Sequence, residues 1–140
     1  MTTVVDASAF YAQADGNDPN HRAVSDALRA ETGLVTTEAV ATEADHLILT
    51  RLGVRVELEF LRDLSGPLFD VECLTREERG IARGIVRRYR DLELGLADAS
   101  LVVLAHRHGT RRILTLDERG FRAVKPLQGG FFTILPADAE

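Results

Sequence analysis

The chain has 140 residues, 45% of them hydrophobic and 28% charged, with a formal net charge of −5. This is enough to bury the core of one domain; no apolar run reaches the ~20 residues of a membrane span. The acidic balance argues against indiscriminate nucleic-acid binding, and the single cysteine, Cys73, excludes an internal disulfide and any cysteine-rich metal site. The N-terminus has no basic segment ahead of a long apolar stretch. No signal peptide is therefore expected, and a cytoplasmic location is the default reading.

Thr2–Val5 ("TTVV") is short and β-branched, so it predicts a buried strand ending at Asp6. "ASAFYAQA" predicts a helix. Residues 15–20 ("DGNDPN") predict a loop, and a helix follows from His21 to about Glu31, stopped by Gly33. "LVTT" (34–37) is a second strand. Thr36 or Thr37 can cap the next helix, whose apolar spacing is carried by Val40, Ala44, Leu47 and Ile48, up to Gly53. Residues 54–64 predict an amphipathic helix with Val54, Leu58, Leu61 and Leu64 on one face. Phe69, Val71 and Cys73 alternate as in a strand, with Cys73 packing in the core. Thr75 and Glu78 form an S/T-x-x-E capping box ahead of a helix with Ile81, Ala82, Ile85, Val86 and Tyr89 on one face. The next helix, almost wholly apolar over 97–105 apart from Asp98 and Ser100, ends at Gly109. "RILTL" leads as a strand to Asp117, "DERGF" forms a turn or a single helical turn, and "GGFFTIL" (129–135) is the last strand. This alternation predicts an α/β sandwich with a mainly parallel sheet. One domain is expected over 1–135, with a loose end over 136–140.

Asp6 and Asp117 each follow a strand directly. If those strands run parallel, both lie at the sheet edge where α/β folds bind ligands. Glu43 borders the apolar stripe of its helix, whereas Asp45 points elsewhere. Asp98 sits in the first turn of a helix that is apolar nearly all round. Taken singly, each has an ordinary explanation. Asp6 can cap the following helix, Asp98 can favour a helix N-terminus, Asp117 can belong to a turn, and Glu43 can reach solvent. Taken together, carboxylates converging without basic partners repel, and a divalent cation such as Mg²⁺ relieves that repulsion. No G-x-S-x-G elbow is present. His106 and His108, two residues apart, point to different faces and make a poor joint ligand pair; His21 and His46 read as surface residues, His46 near the rim of the acidic pocket.

"VVDASAF", "TTEAVATEADHL", "LGLADASLVVLAHRHG" and "ILTLDERGF" resemble, in order and spacing, the PIN domain family, most closely its VapC-type toxins of bacterial toxin–antitoxin pairs. The resemblance implies a PIN-like three-layer α/β/α sandwich and a ribonuclease that needs Mg²⁺, with Mn²⁺ able to substitute. It implies that Asp6, Glu43, Asp98 and Asp117 form an acidic metal-holding, catalytic quartet; Glu38 is the nearby competitor of Glu43. Ser8 and Thr115 would support that quartet. RNA is the implied substrate, a VapB-like antitoxin and a second copy of the chain the implied partners, with the helices over 37–65 as the dimer surface. Arg119 and Arg122, and the basic stretches "RGIVRRYR" and "HRHGTRR", are candidates for RNA contacts. Three other readings compete. A phosphoreceiver would need an acidic neighbour beside Asp6 and an acceptor Asp ending its third strand, where "FDVECL" instead places Asp70 inside the strand. A non-catalytic PIN-like module would have no need of all four carboxylates. A haloacid-dehalogenase-type phosphatase would need D-x-D where this chain has Asp6-Ala7-Ser8.

Overall fold

The computed structural model describes residues 1–139. In chain order the elements are β1 (Thr2–Val5), α1 (Ala7–Ala14), α2 (His21–Ala30), β2 (Gly33–Thr37), α3 (Glu38–Leu52), α4 (Val54–Ser65), β3 (Phe69–Glu72), α5 (Arg76–Arg88), a 3₁₀ turn (Arg90–Leu92), α6 (Gly95–Arg107), β4 (Arg112–Leu114), α7 (Glu118–Ala123) and β5 (Thr133–Leu135). The five strands form one sheet in the order β3-β2-β1-β4-β5, and every neighbouring pair is parallel. The α/β sandwich expected from the alternation is therefore present, with a sheet parallel throughout. β1 leads toward β2 and β3 on one side, whereas β4 leads to β5 on the other. Parallel connections are right-handed almost without exception, so crossovers running in opposite directions place helices on both faces.

Burial explains the strand composition. Val4, Val5, Ile113, Leu114 and Ile134 are fully buried, as in strands covered on both faces. α6 is buried from Ala99 through Ala105 and packs against β1 and β2. On α1, Phe10 meets Phe60 and Phe69 edge-on, with ring centroids 5.4 and 5.0 Å away, and so ties α4 and β3 to the core. Thr37 caps α3, its Oγ1 accepting from Val40 N at 3.1 Å. The Thr75–Glu78 capping box of α5 forms in both directions.

Two local expectations are corrected, and one is sharpened. Cys73 lies one residue past β3 and is exposed; the strand ends at Glu72 because its pairing with β2 ends at Thr37. "DERGF" opens a six-residue helix, α7, capped by Asp117. The last strand spans only Thr133–Leu135, because Gly129 and Gly130 adopt φ of +86° and +77°, outside strand conformation. Beyond it, residues 136–138 form a turn in which the Asp138 carboxylate accepts from Ile134 N at 2.8 Å and pairs with Arg122 at 2.6 Å. Glu140, in the expected loose end, lies outside the described residues.

Candidate active site

β1 and β4 are adjacent, and their connections depart in opposite directions. Their carboxyl ends form the crevice where doubly wound sheets receive ligands. Asp6 follows β1 and Asp117 lies just beyond β4, so both stand at this edge. Asp6 N donates to Leu114 O at 3.0 Å, which continues the β1–β4 pairing into the site.

The Asp6 side chain is 5% exposed and fully engaged on its inner side. Oδ1 accepts from Ala7 N at 2.8 Å and so caps α1. Oδ2 accepts from Thr115 Oγ1 at 2.6 Å and Ser8 Oγ at 3.1 Å. Ser8 Oγ also accepts from Leu116 N at 3.0 Å, and Thr115 Oγ1 from Asp117 N at 3.0 Å. These two hydroxyls thus join the start of α1 to the segment after β4. Burial raises the Asp6 carboxyl above its ordinary range; the hydrogen bonds from Thr115, Ala7 and Ser8 oppose that, and the charge of Asp117 adds to it. Asp117 is exposed. Its Oδ1 accepts from Gly120 N at 3.0 Å, and a Cβ at position 120 would collide with its Oδ2.

Glu43 is exposed on α3, and its carboxyl is raised by partial burial and then by Asp6. Asp98, in the first turn of α6, is half-buried and pushed up to about 7, first by burial and then by the charges of Asp6, Glu43 and Asp117. A helix N-terminus would favour its anion; burial and three like charges prevail. Asp98 accepts no hydrogen bond and pairs with no cation among the described residues, and the same holds for Glu43. Glu38 is exposed and borders cavities away from these groups, so Glu43 is the glutamate that faces Asp6 and Asp98. Asp45 does point elsewhere, toward Glu57 of α4.

The four carboxylates repel one another without forming a tight cluster. Among the described residues, no three of His, Cys, Asp or Glu stand close enough to close on an ion alone. Oxygen donors that stand back suit Mg²⁺ or Mn²⁺, since Mg²⁺ keeps several waters and takes few protein ligands. An all-carboxylate set lacking a neutralising side chain fits such a cation and would hold neither a soft metal nor an anion.

Other sequence candidates stand apart. Arg119 is exposed and makes no ion pair among the described residues. Arg122 is held by Asp138 and Glu118, so its guanidinium is already engaged. His108 Nε2 lies 2.8 Å from Glu72, and His21 Nδ1 lies 2.8 Å from Ala12 O; His46 and His106 are exposed. Sequence reasoning missed one contact: Thr37 Oγ1 donates to Ser100 Oγ at 2.7 Å, and Ser100 donates to Ala97 O at 2.6 Å. This joins the end of β2 to α6 two residues from Asp98. The signal was Ser100 itself, a polar residue in an apolar helix; its partner, 63 positions away, carried none.

Residues 3–126 match the PIN domain. The chain belongs to the PIN domain family. This PIN domain is 42% identical over 134 residues to "Ribonuclease VapC26" of Mycobacterium tuberculosis (strain ATCC 25618 / H37Rv), spanning 95% of this chain and 99% of that protein. The VapC-type resemblance read from the motifs is thus borne out. Its fold matches the crystal structure of M. tuberculosis VapC20, described as a Sarcin-Ricin loop cleaving toxin, with a TM-score of 0.78 and 19% identity. The match covers 84% of this chain and 91% of that one. FitAcB from Neisseria gonorrhoeae matches with a TM-score of 0.61 and 18% identity, over 84% and 88% of the respective chains. The phosphoreceiver reading falls away: Asp70, its nearest acceptor, is an exposed residue inside the edge strand β3.

Proposed function

We propose that this PIN domain is a divalent-metal-dependent ribonuclease, the toxin of a toxin–antitoxin pair, with Asp6, Glu43, Asp98 and Asp117 as its metal-holding and catalytic carboxylates. The observation that carries the reading is Asp98. It is a half-buried carboxylate facing three others, with neither a hydrogen-bond donor nor a cation beside it among the described residues. Folding has no use for such a group, and its electrostatic cost calls for a ligand that supplies positive charge. The full-length likeness to a protein named a ribonuclease supports the substrate class.

When bound, Mg²⁺ or Mn²⁺ would supply a water made acidic enough to attack phosphorus and charge to stabilise the leaving oxygen. The chain's own contribution is positioning. Asp6 is fixed by Ala7 N, Thr115 and Ser8 before any ligand arrives. Asp117 is oriented by Gly120 N. Among the described residues Asp98 and Glu43 stay free of hydrogen bonds, available to hold the cation and to accept a proton from the attacking water. Ser8 and Thr115 act on the reaction only through Asp6. Arg119, exposed two residues beyond Asp117, is the freer of the two arginines proposed for RNA.

The reading extends to partners. A VapB-like antitoxin would block the acidic crevice, and two copies would pair through the helices over 37–65, where Leu49, Val54, Leu58 and Leu61 are exposed. The proposed location is the cytoplasm; no helix among the described residues is long and apolar enough to cross a membrane.

Purified, partner-free protein is expected to cut RNA in Mg²⁺ or Mn²⁺ and to lose that activity in EDTA and in Asp98→Asn. Cleavage that survives both controls would sink the metal-site reading.

A further inference from the structure

Six arginines fall within residues 76–90, the densest positive charge in a chain of net −5. Arg79, Arg83 and Arg87 follow one another at i, i+4 and i+8 on α5, so they share one face. They rise about 6 Å per step along the helix axis. With Arg90 they form one wall of an open groove of about 500 Å³; Gly95 and Leu96 of α6 form the other, and Ala82 and Val86 the floor. No carboxylate among the described residues lines it. Glu78, an acidic residue of the first turn of α5, is drawn away to Arg107.

Four arginines elsewhere are neutralised. Arg29, Arg107, Arg112 and Arg122 all pair with carboxylates. Arg79, Arg83, Arg87 and Arg90 pair with none among the described residues, Arg79 reaching only the Leu74 carbonyl at 3.0 Å. Leu96 is 56% exposed and lies two residues before Asp98 in the first turn of α6. The groove therefore reaches the turn of α6 that carries Asp98, on a different face of that helix.

We propose that the α5–α6 groove is the track for the backbone of single-stranded RNA. Arg79, Arg83, Arg87 and Arg90 hold successive phosphates, and Leu96 offers apolar surface to a base as the strand crosses the first turn of α6 toward Asp98. Guanidinium forks match phosphate oxygens, and an apolar floor between a basic and an apolar wall suits a strand whose bases are unpaired. The groove also resolves an electrostatic difficulty: a cluster of four carboxylates repels RNA, and a flanking basic wall supplies the attraction that brings the strand within reach. The direction of the strand rests on the nuclease reading; the groove's affinity for RNA does not.

The test is fluorescence anisotropy of a labelled, mixed-sequence single-stranded RNA, titrated in EDTA so that nothing is cut. Arg83→Glu/Arg87→Glu is compared with Arg22→Glu/Arg29→Glu on α2, which changes net charge equally. The groove variant is expected to bind at least about tenfold more weakly, and the slope of log affinity against log salt to shrink by about 1.4, two contacts at ~0.7 each. Melting curves check folding, and Arg83→Gln/Arg87→Gln replaces the reversal if it unfolds. An equal loss in both variants, or RNA binding unchanged in the groove variant, overturns the proposal. So does intact RNA binding with lost binding of poly-glutamate, which assigns the groove to an acidic protein partner. Cleavage by the wild-type protein, assayed separately in Mg²⁺, tells failure of the groove from failure of the nuclease reading.

Discussion

Asp98 shows what a single residue can disclose. A carboxylate that folding leaves unsatisfied destabilises the metal-free protein, so Asp98→Asn is expected to raise its melting temperature while abolishing cleavage. The rise should be a few degrees, at roughly 4 °C per kcal/mol for a domain of this size. Mg²⁺ should stabilise the wild type by mass action and leave the variant almost unmoved. A melting series with and without Mg²⁺ checks both; an Asn variant that melts lower than the wild type in EDTA would argue that Asp98 is a structural residue. Thr115 behaves in the opposite way. Its hydroxyl donates to Asp6 and accepts from Asp117 N, so Thr115→Val removes a donor from a buried carboxylate. The expected cost is about 1–3 kcal/mol in chemical denaturation, with Asp6 raised further and activity down about 10–100-fold. Asp98 and Asp6 were legible in the sequence because a carboxylate in an apolar helix or at a strand end is conspicuous. Glu43 was legible less clearly, because only its spacing beside the apolar stripe chose it over the nearby Glu38. The Thr37–Ser100 link showed only at its Ser100 end, and there weakly, since a hydroxyl can satisfy itself against its own helix.

At the scale of elements, β-branched runs and glycine stops marked most strands and helices, and the capping box at Thr75 marked the start of α5 within a residue. Patterning failed where an element is short or an edge. Phe69, Val71 and Cys73 alternate, yet Cys73 falls outside β3, because strand length depends on how far the neighbouring strand runs. The rise of Asp117 into a six-residue helix depends on a cap to Gly120 N that period-based reading does not weigh. The packing of α6 was also invisible. Arg107, at its end, donates to Glu78 Oε2 at 3.0 Å, Glu72 at 2.7 Å and the Cys73 carbonyl at 2.8 Å. These contacts anchor the helix that carries Asp98 to the start of α5. The Arg107 guanidinium, with the capping bond to Thr75 N, holds the Glu78 carboxyl down at about 2. A lowered carboxyl contributes stability above its unfolded value near 4.5 and loses it as the pH falls through about 2. Glu78→Gln is therefore expected to be less stable than the wild type at pH 7, by about 1 kcal/mol for an ion pair this close to solvent. The two should converge as the pH approaches 2, which urea denaturation at several pH values would reveal.

At the scale of the whole molecule, the charge distribution is uneven: carboxylates gather where β1 and β4 end, arginines along α5, and apolar side chains on α3 and α4. Composition reported only the net −5 and could not reveal this sorting, which the folding of distant segments creates. If the α3–α4 face joins two copies, Leu58→Asp is expected to convert a dimer into a monomer in sedimentation, with melting little changed because Leu58 is 60% exposed. An unaltered sedimentation coefficient would place the dimer contact elsewhere. The strand order carries a further consequence. β1 is made first but lies against β4, made last but one, and Asp6 receives its Thr115 bond only once that late strand has docked. During translation, a ribosome making this protein therefore holds a chain without a finished crevice until residues 112–117 have left the exit tunnel. Any activity of the crevice therefore waits for this late strand to dock.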